Sequence, residues 1–373
     1  MNGVIAVEQP RLIPATITSE FVSIIVPARN EAELIENCLA SLLAQSYPQS
    51  NFEILVVDGC STDGTTQKVA AIASHDARVR LLKNPARSCP AGMNVGLCAG
   101  IGKVIIIAGA HTLYPPDFIR NCMACLKKTG ADVVGGPVRT LSAHEGFGSK
   151  LCSAILSNPF GVGNSRFRTS SEEGYVDTVP FGAYRREIFD RVGLYNERLV
   201  RNQDNDLSSR IRQAGGKIYL TPTLTTDYIA VRGFRDLLKQ AFFENQWHAV
   251  TIFENVRALG WRHVCPAVFV MILVLLLVLT SVTSLAGAAL GAVVLIYSIA
   301  ACWFALRDRA KSPPLVIAAM PFGCFLFHIT YGLGTIAGLR LLFRSEPNPR
   351  LEKFCFVRRK EGSASEIDPS VSG

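Results

Sequence analysis

Four short apolar runs punctuate the first third of the chain. They are Phe21-Val-Ser-Ile-Ile-Val26, Phe52-Glu-Ile-Leu-Val-Val57, Val79 to Leu82, and Lys103-Val-Ile-Ile-Ile107. They are short, β-branched and mostly unbroken by polar residues, which reads as strands buried on both faces. Between them apolar residues recur at helical spacing, as at Leu34, Ile35, Cys38, Leu39 and Leu42. The spacing predicts helices over Glu31 to Gln45, Thr65 to about Ser74, and Met93 to Ala99. Alternating strands and helices imply βαβ units and a mostly parallel sheet. Ligands of such sheets sit at the carboxyl ends of the strands. The loops that start at Pro27, Asp58 and Ala108 all fall on that edge. Further along, Val133 to Gly136 and Val176 to Phe181 read as strands. Glu187 to Val192 and Asp204 to Ala214 read as helices, the second stopped by Gly215-Gly216.

Beyond Arg262 the pattern changes to long uncharged stretches at about 264–283, 285–306 and 315–339. Each is long enough to cross a bilayer at about 1.5 Å per residue. The chain therefore divides into a flexible leader (1–20), an α/β domain (21–232), juxtamembrane helices (233–263), a transmembrane region (264–342) and a basic, then disordered tail (343–373). The first 20 residues hold no long apolar run, so no signal peptide is expected and the domain is expected on the cytoplasmic side. The third stretch is interrupted by Pro321 and rich in Gly, at Gly332, Gly334 and Gly338.

Basic residues cluster before the first stretch (Lys239, Arg257, Arg262), after the second (Arg307, Arg309, Lys311) and after the third (Arg340, Arg344, Arg350, Lys353, Arg358, Arg359, Lys360). Three simple spans cannot keep all three clusters inside. The third stretch is therefore expected to be re-entrant or interfacial, the alternative being an external tail.

The net charge of +8 suits anionic lipid or substrate phosphates. There is no basic helix with interleaved aromatics, so nucleic acid is not expected as a partner. Eleven scattered cysteines point to a reducing compartment. Cys122 and Cys125 lack a second pair and read as core residues of a helix rather than zinc ligands.

Asp58 ends a strand at the ligand edge, where a carboxylate can accept hydrogen bonds from a nucleotide. Arg29 and Glu31 bring a cation and a carboxylate to the same edge. Asp63, with Ser61 and Thr62, reads first as a helix cap. Pro90 to Gly96 opens a helix whose glycines suit either phosphate or close packing. Asp204, taken alone, reads as a cap too.

The order of motifs carries more than any one of them. Val22-Ser-Ile-Ile-Val-Pro-Ala-Arg-Asn-Glu31, Val57-Asp-Gly-Cys-Ser-Thr-Asp-Gly-Thr65, Tyr114-Pro-Pro-Asp-Phe118, Gly193-Leu-Tyr-Asn-Glu197 and Gln203-Asp-Asn-Asp-Leu207 follow one another. This order resembles the family 2 inverting glycosyltransferases of GT-A fold, over about Phe21 to Tyr228. The apolar segments and the His111-Thr-Leu-Tyr-Pro-Pro116 run look like the ExoA-type enzymes of succinoglycan assembly.

The resemblance implies a GT-A, Rossmann-like nucleotide-sugar-binding domain followed by transmembrane helices. Pro27, Arg29, Glu31, Asp58, Asn94 and Ala110 would line the nucleotide-sugar pocket, with Asp58 on the uracil side. Asp204 would be the general base of a single inverting displacement. The implied donor is a UDP-sugar, UDP-glucose first. The implied acceptor is a lipid-linked oligosaccharide in exopolysaccharide biosynthesis, at a bacterial inner membrane, beside other polysaccharide-assembly proteins. No Gln-x-x-Arg-Trp motif is present, which implies one sugar per encounter.

The family's Asp-x-Asp or Asp-x-His reads Gly109-Ala110-His111 here, and Gln203 replaces a Glu. A divalent cation, Mg²⁺ or Mn²⁺, is implied, with His111 its remaining ligand. One imidazole is a poor anchor for a hard ion. Either donor phosphates supply most of its ligands, or Arg87, Arg166 or Arg168 share the neutralising work. Gly109 also motivates an alternative, a weak or inactive member that binds nucleotide-sugar as a scaffold. A dinucleotide oxidoreductase would need the GxGxxG fingerprint after the first strand, which is absent.

Overall fold

A computed structural model describes residues 21–343 except 143, 164, 170, 171, 230–232 and 311. The leader, the tail beyond 343, and the basic residues Lys311, Arg344, Arg350, Lys353, Arg358, Arg359 and Lys360 lie outside the described residues.

The buried runs become strands β1 (Val22–Ala28), β2 (Phe52–Asp58), β3 (Val79–Lys83) and β4 (Val104–Ile107). These pair in parallel in the order β3-β2-β1-β4, with Ala28 opposite Asp58. The strand order reverses between β1 and β4, which opens a crevice at their carboxyl ends. Alternate residues of β1 feed two cores. Val22, Ile24 and Val26 pack with Leu39, Phe118 and Ile119 on one face; Ile25 packs with Leu97, Leu207 and Ile211 on the other. Truncating a fully buried Ile such as Ile24 to Ala costs about 2–5 kcal/mol.

After β5 (Thr112–Leu113) the pattern turns mixed. The strands are β6 (Val133–Gly135), β7 (Val138–Leu141), β8 (Gly174–Tyr175), β9 (Ala183–Arg185), β10 (Ile218–Leu220) and β11 (Thr226–Ile229). The main sheet continues β4-β9-β6-β10-β8, with β9 antiparallel to both β4 and β6. A small second sheet runs β5-β11-β7.

The strand expected over Val176 to Phe181 is not there. Pairing stops at Tyr175, Pro180 has no amide to donate, and Phe181 sits at φ 48°. The sheet resumes only at Ala183. Val179 is apolar because it packs against Gly135, not because it belongs to a ladder.

Helix Cys89–Ala99 crosses β1 so closely that a Cβ on Gly96 would lie 2.3 Å from Ile25 Cγ2. Close packing, not phosphate, explains that glycine. Cys122 and Cys125 sit in helix Phe118–Thr129 with their side chains in the core.

The apolar stretches form helices Trp261–Leu279, Ser284–Arg307 and Pro314–Ala337, the last continuing as a 3₁₀ turn over Gly338–Phe343. All three are long and apolar enough to cross a membrane by length and composition, at mean hydropathy 2.5, 2.2 and 1.6. The third runs unbroken through Pro321, so the interruption expected there is absent.

The glycines of the third helix mark three close approaches. A Cβ on Gly332 would meet Pro266 O at 2.3 Å, on Gly334 Phe242 O at 2.4 Å, and on Gly338 Gln246 O at 2.0 Å. The helix is thus clamped between the first apolar helix and helix Phe234–Asn245. One core serves both parts of the molecule. Leu151 and Ile155 of the α/β part and Leu237 and Ala241 of helix Phe234–Asn245 pack with Val316, Met320, Cys324 and Phe327.

Candidate active site

Two loops at the crevice are stitched to each other. The Asn30 amide donates to Ser61 Oγ at 2.9 Å, and the Thr62 amide returns a bond to Asn30 Oδ1 at 2.9 Å. The Glu31 amide donates to Thr65 Oγ1 at 2.8 Å. Asp63 accepts from the Thr65 amide at its helix start and from the Ala32 amide across the gap, both at 3.0 Å. These bonds, the Thr65 hydroxyl first, hold the Asp63 carboxyl below the usual range. Asn30 and Cys60 both take left-handed backbone, at φ 58° and 59°. Asn tolerates this, whereas at Cys60 it is held by the surrounding bonds.

Asp58 lies at the bottom of this pair of loops, 6% exposed. It accepts from the Ser61 amide through both oxygens at 3.3 Å and from Thr66 Oγ1 at 3.1 Å. Pro27 and Ala28 end β1 beside it, and the exposed Arg29 reaches the Arg87 carbonyl at 3.4 Å. Pro27, Arg29, Glu31 and Asp58 are therefore brought together. Asn94 is placed as a brace. Its amide nitrogen donates to Tyr195 O and Glu197 Oε1 at 2.9 Å, and its oxygen accepts from the Tyr195 amide at 3.0 Å.

His111 stands against Glu31, Nδ1 to Oε1 at 3.3 Å, a contact the spacing along the chain did not suggest. Its ring meets Tyr228 edge-on at 5.4 Å. Ala110 is buried beside it. At position 109 there is no room for a side chain. A Cβ there would lie 2.6 Å from Phe181 Cε1 and 2.9 Å from Thr112 Oγ1.

A divalent cation would therefore find one carboxylate and one imidazole, already hydrogen-bonded to each other. Among the described residues no three His, Cys, Asp or Glu side chains group closely enough to hold an ion. Glu31 is already bonded to His111, so the pair by itself does not make a cation site; a bound diphosphate and water would have to supply the remaining oxygens.

Helix Gln203–Gln213 starts at Asn202, itself left-handed at φ 62°. Asp206 is buried and paired with Arg210 at 2.9 Å, and Arg210 in turn binds the carbonyls of Val192 and Leu194. Asp206 is thus structural, and Asp204 is the carboxylate that reaches open space. It lines a cavity of about 550 Å³ together with Arg168, His248, Arg262 and His263. Phe269, Tyr297, Phe327 and His328 of the apolar helices form the other wall. Desolvation raises the Asp204 pKa above the ordinary carboxylate value, opposed by the Asn205 amide and by the charges of Arg201 and Arg262. Burial pushes His248 down to about 3, so it is neutral at working pH.

The cavity wall is the part that sequence reasoning missed. Arg168 was named only among possible phosphate partners. Arg262 was read as a topology signal. Tyr297 and His328 carried no signal beyond polarity within apolar segments.

Residues 23–193 match the family described as Glycosyl transferase family 2. Over 327 residues the chain is 26% identical to the dolichyl N-acetyl-alpha-D-glucosaminyl phosphate 3-beta-D-2,3-diacetamido-2,3-dideoxy-beta-D-glucuronosyltransferase of Methanococcus voltae, covering 86% of this chain and 97% of that one. It is 29% identical over 330 residues to the succinoglycan biosynthesis protein ExoA of Rhizobium meliloti strain 1021, covering 85% and 94%. Among solved structures it is similar to the mannosyltransferase PcManGT of Pyrobaculum calidifontis in complex with GDP-Man and Mn²⁺. The TM-score is 0.52 at 18% identity, over 87% of this chain and 88% of that one, a likeness of fold.

Proposed function

We propose that this chain, whose residues 23–193 match Glycosyl transferase family 2, moves one sugar, with inversion, from a nucleotide-sugar to a lipid-linked oligosaccharide on the inner face of a bacterial membrane. The donor's nucleotide lies along the crevice edge at Pro27, Arg29, Glu31 and Asp58, with Ala110 beneath the sugar side. UDP-glucose, in exopolysaccharide synthesis, is the first donor to try.

The acceptor hydroxyl gives its proton to the Asp204 carboxylate. Its oxygen attacks the anomeric carbon from the face opposite the diphosphate. The bond from that carbon to the diphosphate oxygen breaks, and the nucleoside diphosphate leaves with the electron pair. A base whose pKa is raised by burial is better matched to this task than an ordinary surface carboxylate.

One observation carries the reading: Asp204 opens into a cavity whose far wall is made by apolar helices. A lipid-borne acceptor diffusing in the bilayer would bring its sugar to that cavity without leaving the membrane. The Methanococcus voltae relative, by its name, acts on a dolichyl phosphate-linked sugar. The third apolar helix shares a core with helices Phe147–Ser157 and Phe234–Asn245. We read it as lying on the domain side of the bilayer, which leaves the basic clusters on one side.

The test is transfer of labelled sugar by membranes that contain the protein, with a panel of nucleotide-sugars and a lipid acceptor extract. Asp204→Asn is expected to lose about 10²–10⁴-fold in rate while keeping donor affinity. Full activity in Asp204→Asn would remove the base assignment. No turnover with any donor would favour a nucleotide-sugar-binding scaffold instead.

A further inference from the structure

Most arginines around the cavity are already spoken for. Arg262 pairs with Asp177 at 2.9 Å, Arg201 with Glu244 at 3.2 Å, and Arg198 with Glu254 at 2.9 Å. Arg166 donates to the Tyr175 carbonyl at 3.0 Å, and Arg87 is exposed on its loop. Arg168 differs. Among the described residues it has no carboxylate within ion-pair distance, and its hydrogen bond to Thr140 Oγ1 is long, at 3.5 Å. Its guanidinium lies 5.5 Å from the Phe167 ring centroid and 5.7 Å from that of Tyr228. Among the described residues most of its five donors have no protein acceptor, yet it remains charged at any working pH.

Position matters as much as valence. Arg168 lines the same cavity as Asp204. It also touches the Tyr228 ring that His111 touches, and His111 is bonded to Glu31 at the crevice. One aromatic ring thus separates it from the donor edge. Burial lowers its pKa from the usual value, a cost that an anionic ligand would reverse. The place where an ion-binding carboxylate would be needed is filled by Phe181 against Gly109.

We propose that Arg168 is the resident cation for a diphosphate ester in this cavity, doing by bidentate hydrogen bonding the neutralisation that a divalent ion would otherwise supply. A planar guanidinium matches two phosphate oxygens at once. The proposal rests on the transferase reading and adds the group that holds the charged part of a substrate. The diphosphate can belong to the nucleotide donor or to a polyprenyl diphosphate carrier of the acceptor.

The experiment is titration of the full-length protein in lipid nanodiscs with UDP and, separately, with farnesyl diphosphate, each in EDTA and in Mn²⁺. Wild-type Kd for at least one is expected to stay within about threefold on chelation. Arg168→Met is expected to weaken that ligand at least about tenfold, and the ligand that weakens names the source. Arg168→Lys keeps the charge but loses the fork, so it recovers part of the affinity and guards against a folding artefact. Arg257→Met, at an exposed residue outside the cavity lining, should change neither affinity.

Unchanged affinity for both ligands in Arg168→Met overturns the proposal. So does wild-type binding that vanishes in EDTA, or no diphosphate binding at all. If wild type transfers sugar while Arg168→Met binds normally, this proposal alone fails. If Arg168→Met loses binding but wild type never turns over, the transferase reading alone fails.

Discussion

The crevice loops and the cavity wall are built in opposite ways. The loops after β1 and β2 are held by short polar bonds between neighbouring segments, Asn30 to Ser61 and Thr62, Ala32 to Asp63, Glu31 to Thr65. Each bond contributes about 0.5–1.5 kcal/mol net, and the loops are pre-shaped before any ligand arrives. The cavity wall is bonded across its segments too, His328 to Tyr297 at 2.9 Å and Arg262 to Asp177 at 2.9 Å, but these bonds join docked helices and distant segments rather than two adjacent loops. Arg168, Asp204, His248 and Arg262 converge there from four separate segments, and Phe269, Tyr297 and His328 come from three apolar helices. Its shape depends on how tightly those helices are docked. The crevice half is locally self-sufficient; the cavity half is hostage to packing.

The contrast can be broken from the packing side first. Gly338→Val forces a side chain onto the Gln246 carbonyl, where even a Cβ would lie 2.0 Å away. Overpacking of this kind costs about 1–3 kcal/mol. The variant should melt earlier in detergent and lose transfer, yet bind UDP as wild type does. Equal loss of UDP affinity would mean that the two halves are not separable.

Electrostatics of the cavity come next. As the proposed base Asp204 must be ionised, its pKa is raised by burial, and Arg262 holds it partly down. Arg262→Met should therefore move the acid limb of kcat/KM to higher pH, away from the unperturbed carboxylate range. A limb that stays put or moves to lower pH would show that Asp204 does not set it.

On the loop side the effects shrink. Ser61→Ala removes the acceptor of the Asn30 amide. It should cost about 0.5–1.5 kcal/mol in stability and raise donor KM a few-fold, with kcat unchanged. A fall in kcat with KM intact would shift Ser61 to the chemical step. Smallest of all is Glu36→Gln. The Lys68–Glu36 pair is 40% and 55% exposed, so its loss should change stability by about 0.5 kcal/mol or less. A larger change in a thermal melt would mean that the loop scaffold is more coupled than its exposure suggests.

Much of the first half was legible because its signals are local. A buried strand announces itself by an unbroken β-branched run, and the turn after it by polar residues at fixed offsets. That is why β1 to β4, the Asp63 cap and the Cys122 and Cys125 core positions could be read along the chain. The failures have physical causes as well. Val176 to Phe181 looked like a strand because Val179 is apolar, but its burial comes from packing on Gly135 while Pro180 breaks the ladder. Pro321 looked like a break, but the helix, packed against its neighbours, continues through it. Asn94 looked available to a nucleotide, but three hydrogen bonds to the Tyr195 to Glu197 segment occupy it.

The sequence by itself determined the alternating strands and helices, the three apolar helices, and the order of polar motifs, because each follows from the periodicity of a short window. Only the tertiary structure decided which of Asp204 and Asp206 opens into space, that Glu31 meets His111, that Phe181 closes off position 109, and that Arg168 has no carboxylate within ion-pair distance among the described residues. Those outcomes depend on which distant surfaces meet, and long-range contact between segments of 30 to 100 residues' separation leaves no period in the chain that makes it.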